Sequence, residues 1–513
     1  MTGESVAFVR KASGLRRDVT LLDATALNIA SMSGGVALGT IGFTTALMPS
    51  MSGVNLVYGS VIAWLATVPM IIVYTMLTTR ISRTGGDYIW VSRAFGGWLG
   101  GSLALMGFTC ETLSFMGLID LSGVFSIGSV GVQLGYPSML SLALPGNVSG
   151  SDPTLQFIIG VLMFGILVVI NWVKPAAGFK IVSIMTIFAI LTTFVGICVL
   201  IGAGQQGIVN YMNTLNTLGA NATYTSVANS YSGSTFDFNA TILLLPFFAI
   251  FAYPWLNYGP AVASEIKGNS ALKWNVLISS VISFIVITAG FACMYYVGGF
   301  GFVNAALANP TLVYNYSFNF WTLAMGVSNN IAVAWFLGLG WISWSILILA
   351  TDIIVVARYL FAQAFDRFLP ARIAYVSSNH APVVAYGIEF VVVAFMIGGA
   401  SFLYGTLVSL YGVVVSGIIY FLFVAVAAII YSRKEKGMTK PVMAISAVLM
   451  ALVDCYLIYQ FFAYYAIYGG NWFAYGFVVV TFLLGIAIYA ISKSYYSKRG
   501  IDVTLAFKEL PPL

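Results

Sequence analysis

Positive charge alternates along this chain between the connections that join its long apolar segments. All 22 Lys and Arg residues lie in the two tails and in one set of connections, whereas the intervening connections 131–153, 204–238 and 300–330 contain none. Because positive charge near the ends of membrane-spanning helices stays in the cytoplasm, the pattern indicates both the number of spans and their orientation. It predicts a multi-pass protein of the cell membrane, with twelve spans and both termini in the cytoplasm.

The apolar content of the chain supports the same prediction. The sequence is 60% hydrophobic and 7% charged, whereas a soluble domain carries about 25% charged residues. A bilayer core of about 30 Å needs roughly 20 apolar residues per helix. The net charge of +6 therefore reflects orientation, and membrane lipid rather than nucleic acid is the expected surrounding partner. The segments that meet the required length are 22–47, 55–79, 99–130, 154–173, 178–203, 239–263, 274–299, 331–357, 383–403, 404–430, 441–466 and 472–492.

Residues that would support enzymatic or metal chemistry are few and scattered. The single histidine, His380, lies in a predicted cytoplasmic loop, and the four cysteines stand singly within predicted spans. We therefore predict no cofactor and no zinc site, leaving sodium as the one metal ion to consider. No nucleophile, base and acid stand together as a catalytic set, so an enzyme is not expected. The sequence has no G-x-x-x-x-G-K-[ST] loop, so ATP is not expected to drive the protein directly.

Two predicted spans contain helix-breaking residues near their middles. The first span is interrupted around Ser33-Gly34-Gly35, and the sixth around Pro254 and Pro260. A glycine costs about 1 kcal/mol and a proline about 3 kcal/mol in a helix interior. The breaks occupy matching places in two units of five spans, and an odd number of spans inverts the second unit, which is the pattern of a transporter site at the membrane midplane. The alternative is ordinary close packing at the glycines and a simple kink at the proline.

The ends of the broken helices suggest what such a site binds. A half-helix that begins after Gly35 directs unpaired N–H groups at a carboxylate, and the carbonyls near Phe251 and Ala252 suit an ammonium group or Na⁺. A small molecule that carries both a carboxylate and an ammonium group is an amino acid. The predicted substrate-binding residues are Ser31, Met32, Ser33, Gly34, Gly35, Phe251, Ala252, Tyr253, Pro254, Trp255 and Asn257.

Three stretches of sequence carry a family resemblance. They are the first span through Met32-Ser33-Gly34-Gly35, the loop Gly85-Gly86-Asp87-Tyr88-Ile89-Trp90-Val91-Ser92-Arg93-Ala94-Phe95-Gly96, and Ala357-Arg358-Tyr359-Leu360-Phe361-Ala362-Gln363-Ala364-Phe365-Asp366-Arg367-Phe368-Leu369-Pro370. With twelve spans, the chain resembles the amino acid–polyamine–organocation superfamily. The resemblance implies an all-α membrane protein with a 5+5 inverted repeat, discontinuous first and sixth helices, and a leucine-transporter-like fold. It also implies secondary transport of amino acids.

The predicted organisation follows from this resemblance. It consists of a cytoplasmic tail, two inverted repeats, a pair of additional spans and a second cytoplasmic tail. Their boundaries are 1–20, 21–203, 239–430, 441–492 and 493–513.

The sequence departs from the family pattern at places that bear on substrate and ion. Trp255 stands where a glycine is usual, and Asn257 where a glutamate is common. We expect Trp255 to fill the pocket as a lid, which favours small or medium neutral amino acids. Thr193 stands near the place where some proton-coupled relatives carry a lysine. Sodium-coupled relatives use hydroxyl groups midway along the eighth helix, near Ser343 and Ser345.

Several carboxyl groups lie within apolar segments. Asp352 is the deepest in the eighth span, and Glu111 lies in the third. Intramembrane carboxyls are costly and usually face a cavity or a partner. Because burial disfavours the charged form of a carboxyl, Asp352 is our first candidate for proton coupling, with Glu111 second. We expect Glu389 and Asp454 to be hydrogen-bond partners between helices.

The loop 84–96 is predicted to close the cytoplasmic side of the site. The flanking Arg83 and Arg93 are expected to form ion pairs with Asp18, Asp23 or Asp87, and Asp23, Asp87 and Arg93 are the predicted gate residues. The alternative is an amphipathic helix that lies on the lipid surface.

The leading functional interpretation is a secondary transporter of amino acids that works by alternating access, with a proton as the coupling ion and sodium as the alternative. An amine or polyamine carrier is favoured if Glu111 and Asp352 both line the pocket. A receptor or partner subunit that does not transport is an interpretation from a different class. A channel is a weaker one, since broken helices also build selectivity filters.

Overall fold

The computed structural model describes residues 14–45, 48–146, 148–404 and 411–511, and these residues fold into helices with no strand among them. Residues 1–13 of the predicted N-terminal tail, and the parts of the first and tenth predicted spans at 46–47 and 405–410, lie outside the described residues. The prediction of an all-α membrane protein is confirmed. The α-helices are α1 Leu21–Ser31, α2 Gly34–Thr45, α3 Leu56–Arg80, α4 Asp87–Gly96, α5 Ser102–Ala104, α6 Glu111–Gln133, α7 Leu140–Ala143, α8 Pro153–Val173, α9 Pro175–Leu215, α10 Tyr224–Asn229, α11 Phe238–Ile242, α12 Leu245–Phe251, α13 Tyr258–Ala261, α14 Asn269–Gly298, α15 Phe300–Ala308, α16 Phe320–Gly326, α17 Ile331–Phe365, α18 Val383–Gly398, α19 Val415–Ser432, α20 Thr439–Ala463 and α21 Trp472–Ser497.

Eleven helical segments of the described chain are long and apolar enough to cross a membrane. The remaining predicted span, the sixth, is divided, and only the shorter apolar stretch Phe238–Phe251 precedes its break. The third candidate span is longer than expected, because α4 continues through two π-helical segments, Gly97–Gly101 and Leu105–Cys110, into α6. This run bends at Gly96, whose φ of 79° is one that a residue with a side chain would adopt only under strain.

Both predicted helix breaks are present. The first span ends its first half at Ser31 and resumes at Gly34, with Ser33 at a φ of 22°. The sixth span ends α12 at Phe251 and resumes at Tyr258. A positive φ at a residue other than glycine is strained and persists only where the surroundings hold it. The prediction of discontinuous first and sixth helices is confirmed, whereas the inverted relation of the two halves stays a prediction.

The two broken spans lie at the centre of the bundle. The half-helix α1 packs against α14, α9 and α17, and α12 packs against α3, α2 and α20. The long helix α17 also contacts α6 and α9, and its residues from Leu347 to Ala364 are all buried. By contrast, α8, α20 and α21 expose many large apolar side chains, as helices in contact with lipid do. The least exposed backbone therefore surrounds the two breaks.

Candidate functional site

A narrow cavity lies between the two breaks and the helices α6 and α17. It is walled by apolar side chains with a few polar groups among them, which is the usual composition of a small-molecule site. Its lining residues are Ser31, Glu111, Thr112, Phe115, Ile119, Ile250, Phe251, Trp255, Tyr258, Ile348 and Asp352.

Two carboxyl groups from different helices line this cavity. Glu111 begins α6 and Asp352 lies in α17, and each side chain is only 1% exposed. Glu111 Oε2 accepts a hydrogen bond from Thr112 Oγ1 at 3.1 Å, and Asp352 Oδ1 accepts one from the Tyr258 hydroxyl at 2.5 Å. The second oxygen of each carboxyl, Glu111 Oε1 and Asp352 Oδ2, has no partner among the described residues. Two acceptor atoms buried beside one cavity thus remain available to a ligand.

Trp255 occupies the end of α12, where the sequence predicted an ammonium site. Its indole N–H donates to the carbonyls of Ala249 and Ile250 at 3.0 and 3.1 Å, and its backbone N–H donates to Ala252 at 3.4 Å. The final carbonyls of a helix need partners from outside the helix, and the indole supplies one. Three of the carbonyls at this end of α12 are therefore already used. The oxygens of Glu111 and Asp352, more than the backbone carbonyls, are therefore the acceptors that an ammonium group would find here.

The first break contributes Ser31 to the cavity. The Ser31 hydroxyl donates to the backbone carbonyl of Trp255 at 2.5 Å, which joins the two breaks directly. Gly34 and Gly35 have a different environment, because a Cβ at Gly34 would crowd Val286 and one at Gly35 would overlap the indole of Trp344. Both positions are points of close helix packing, so a bulky residue at either glycine would disturb the fold as well as the break.

Tyr253 and Pro254 do not line this cavity. Tyr253 and Pro254 line a second cavity on the opposite side of the sixth-span break instead. The Tyr253 hydroxyl hydrogen-bonds with Ser60 at 2.5 Å. Met32, Ser33 and Ala252 are buried without lining the cavity. Of the eleven predicted substrate-binding residues, Ser31, Phe251 and Trp255 line it. The break was predictable from sequence, but the direction of each side chain within it was not.

The hydroxyl residues considered for ion coupling, Ser343 and Ser345 for sodium and Thr193 at the place of a lysine in proton-coupled relatives, do not line the cavity. Ser345 is fully buried in α17 and faces Gly123 of α6, and its hydroxyl has no partner among the described residues. Ser343 is half-buried and does not line the cavity. Thr193 accepts a hydrogen bond from the indole N–H of Trp344 at 3.1 Å. Their role in ion coupling therefore stays a prediction.

Asp87 is the centre of a buried network at the end of the bundle that carries the positive charges, which we call the basic end. Its side chain is fully buried and accepts hydrogen bonds from the hydroxyls of Tyr74 at 2.7 Å, Tyr420 at 2.8 Å and Tyr359. The side-chain amide of Asn257 also donates to it, at 3.3 Å. These donors come from four different spans. Residues 87–92 are all buried, so the interpretation of this segment as a lipid-surface helix is wrong.

The predicted ion pairs of the gate are also wrong. Arg93 pairs with Asp366 rather than with Asp18, Asp23 or Asp87, and its Nη2 donates to Asp366 Oδ1 at 2.9 Å. Asp23 completes a capping box with Thr20 at the start of α1 and accepts from Ser183 Oγ at 2.6 Å. The spacing Thr20-x-x-Asp23 before an apolar run is the sequence signature of such a box, and the assignment of Asp23 to the gate overlooked it.

Asp18 and Arg83 also have other partners. Asp18 pairs with Lys267 at 3.0 Å and with Arg16 at 2.8 Å, and the hydrogen bond from Lys267 lowers the pKa of Asp18. Arg83 donates to the carbonyl of Pro511 at 2.6 Å. Lys267 and Pro511 lie far from these residues in sequence, so spacing could not identify them, whereas Arg16 is a near neighbour of Asp18.

A second buried ion pair was missed by sequence reasoning. Arg358 donates to both oxygens of Glu265 at 3.0 Å and to the Tyr386 hydroxyl at 2.9 Å, and the arginine is only 1% exposed. It joins α17 to the segment that follows α13. Arg358 stood in a recognised motif, but its partner lies 93 residues away.

The expected hydrogen-bonding roles of Glu389 and Asp454 are wrong. Both Glu389 oxygens and Asp454 Oδ2 are buried without a partner among the described residues.

Comparison with known proteins agrees with this architecture. A family model described as amino acid permease matches residues 20–488. An uncharacterized protein, protein 399 of Sulfolobus islandicus rod-shaped virus 1, is 33% identical over 86 residues, which are 17% of this chain and 21% of the viral protein. The chain thus spans about a fifth of that relative's length. With eleven apolar helices long enough to cross a bilayer, this is a multi-pass membrane protein, and it belongs to the amino acid permease family.

Proposed function

We propose that this protein moves amino acids across the cell membrane by alternating access, and that the ammonium group of the substrate binds between Glu111 and Asp352. The observation that carries the proposal is the pair of unpartnered carboxyl oxygens in one cavity beside the two helix breaks. Charge-assisted hydrogen bonds to an ammonium group would satisfy both oxygens. The indole of Trp255 supports the same assignment, because it already occupies backbone carbonyls that would otherwise compete for the ammonium group.

The substrate carboxylate is proposed to approach the start of α2. The first N–H groups of a helix lack partners within the helix and carry a partial positive charge. Ser31 brings this break to the edge of the cavity. The amino acid would thus lie with its carboxylate toward α2 and its ammonium group toward α6 and α17.

An amine or polyamine carrier is the second candidate, and a specific observation favours it. Glu111 and Asp352 both line the cavity, which is the arrangement expected for a substrate with more than one positive charge. Two like charges beside one cavity disfavour each other unless a cation lies between them. The same pair weakens the expectation of small neutral substrates. Competition between leucine, arginine and putrescine for one labelled substrate separates the candidates.

Proton coupling is proposed to act through Asp352 more than through Glu111. Asp352 receives its hydrogen bond from Tyr258, the first residue after the sixth-span break, so it links α17 to α13. Glu111 receives its bond from the adjacent Thr112 in its own helix. Adding a proton to Asp352 therefore changes a contact between two elements that must move apart when the cavity opens.

Uptake into proteoliposomes tests this assignment. Under a pH gradient, a sodium gradient or neither, we expect uptake to follow the pH gradient. Asp352→Asn should still exchange substrate when the substrate concentration is raised to offset its weaker binding, but it should lose net pH-driven uptake. Asp120→Asn is the matched control, because Asp120 is also a buried carboxyl without a partner but does not line the cavity. Uptake that requires sodium and ignores pH would contradict the proton assignment.

Saturable uptake with counterflow is expected of a carrier and separates it from a channel. Binding without any flux would instead support a receptor or a partner subunit.

The buried networks at the basic end are proposed to form the gate, and this end is proposed to face the cytoplasm. Asp87 joins donors from four spans, and Arg358 and Arg93 form ion pairs across helices. Opening the cavity toward this side requires these contacts to separate. Accessibility of introduced cysteines to an impermeant thiol reagent in sealed cells tests the orientation.

A further inference from the structure

A second cavity lies on the opposite side of the sixth-span break, and it contains one carboxyl group. It is enclosed by α3, α12 and α20 together with the first residues of the break. Its walls are apolar apart from Asp454, Thr67 and Tyr253. The lining residues are Ala63, Ala66, Thr67, Met70, Leu245, Phe248, Ala249, Tyr253, Pro254, Met450, Val453, Asp454 and Leu457.

Asp454 is the one carboxyl group among the described residues that line this cavity, and none of those residues carries a positive charge. The side chain is 5% exposed, and its Oδ2 atom is buried without a partner among the described residues. The other two polar groups already have partners, since the Thr67 hydroxyl donates to the Ala63 carbonyl at 2.9 Å and the Tyr253 hydroxyl hydrogen-bonds with Ser60. A carboxyl buried in a membrane helix is costly unless it has a partner or a proton.

We propose that this cavity is a second binding site, which takes a small primary amine with a short apolar tail. The ammonium group supplies N–H donors to Asp454, and the tail contacts the apolar wall formed by residues such as Phe248 and Met450. A ligand with one positive charge fits better than one with two, because the lining residues offer one carboxyl to pair with it. This inference does not depend on which molecule the protein transports.

The position of the cavity connects it to the substrate site. Tyr253 and Pro254 line the second cavity, while the neighbouring Phe251 and Trp255 line the first. The end of α12 and the short segment between α12 and α13 thus separate the two sites. An amine in the second cavity braces this segment and slows its movement, so it lowers the maximal rate of uptake without competing for the substrate.

Butylamine is the probe, and butan-1-ol is its uncharged counterpart. We expect butylamine to raise the unfolding temperature of the purified full-length protein at concentrations where butan-1-ol has no effect. Asp454→Asn should raise the half-saturating concentration of butylamine roughly tenfold or more, as loss of a hydrogen bond to a charged group does. Asp120→Asn is the matched control and should leave that concentration unchanged.

Two further variants make the result decisive. Ala66→Leu fills the cavity from α3 and should abolish the response to butylamine while leaving Asp454 in place. Glu111→Gln, in the first cavity, should leave the response intact. An equal response in the wild type and in Asp454→Asn would overturn the proposal. So would a response that is lost in Glu111→Gln, because butylamine would then be binding in the first cavity.

Discussion

The basic end and the substrate cavity both bury carboxyl groups, but these carboxyls differ in how fully they are hydrogen-bonded. At the basic end, Asp87 accepts from four side chains and Glu265 receives two bonds from Arg358. In the cavity, Glu111 and Asp352 each keep an oxygen without a partner. Buried polar groups in folded proteins are nearly always satisfied, so open oxygens that also line a cavity, as those of Glu111 and Asp352 do, point to a ligand. The comparison separates carboxyls that hold the structure together from carboxyls that are proposed to bind.

The largest expected effect is at the buried ion pair of the basic end. Arg358→Met leaves Glu265 buried without its cation, and we expect a loss of about 3–5 kcal/mol in the free energy of unfolding. The double variant Arg358→Met with Glu265→Gln should recover most of the loss, because no uncompensated charge remains. Thermal unfolding of the purified protein measures both. A single variant as stable as the wild type would remove the distinction between the two regions.

The second effect concerns the network around Asp87. Asp87→Ala leaves three tyrosine hydroxyls and the Asn257 amide without their acceptor, and each buried unsatisfied group costs about 1–3 kcal/mol. We expect a destabilisation of about 3 kcal/mol or more in the same unfolding measurement. Asp18→Ala is the control, because Asp18 lies at the surface, where ion pairs contribute little. Equal effects of the two substitutions would show that the network at Asp87 contributes no more to the free energy of unfolding than a surface ion pair does.

Helix breaks, which are caused by neighbouring residues, were predicted from the sequence, whereas contacts between distant residues were not. The helix breaks at Ser33 and Pro254 follow from glycine and proline chemistry, and both were predicted within a few residues. The pairing of Arg93 with Asp366 was not, because the partner is 273 residues away and spacing carries no information about it. Asp23 was assigned to the gate because of its charge, whereas the adjacent N-terminus of α1 determines its role.

The candidate site divides along the same line. Glu111 and Asp352 were identified because charge is rare in apolar spans, and this signal does not depend on knowing the fold. The direction of Tyr253 away from the cavity depends on how α12 ends, which no sequence pattern specified. The use of the Trp255 indole to satisfy carbonyls of α12 could have been suspected, since a tryptophan buried in a helix break needs an acceptor for its N–H.

A smaller effect is expected where the two breaks meet. Ser31→Ala removes the hydrogen bond to the Trp255 carbonyl, which contributes about 1 kcal/mol. If this bond positions the breaks for binding, the half-saturating substrate concentration should rise about fivefold, with little change in unfolding temperature. Ser31→Thr, which keeps the hydroxyl, should retain most of the affinity. If Ser31→Thr loses as much affinity as Ser31→Ala, the effect comes from crowding and not from the lost hydrogen bond.

The open carboxyls of the cavity are proposed to bind the ammonium group of the substrate. Ligand-induced thermal stabilisation of the purified protein measures this binding. Leucine, arginine and putrescine are titrated against the wild type, Glu111→Gln and Asp352→Asn, and the N-acetyl forms of the two amino acids serve as controls. A compound that stabilises the wild type should be needed at an at least about tenfold higher concentration to stabilise either variant equally. Blocking the α-amino group with an acetyl group should weaken the binding of an amino acid. A compound that stabilises all three proteins equally, or an N-acetyl form that binds as well as its parent, would contradict this proposal.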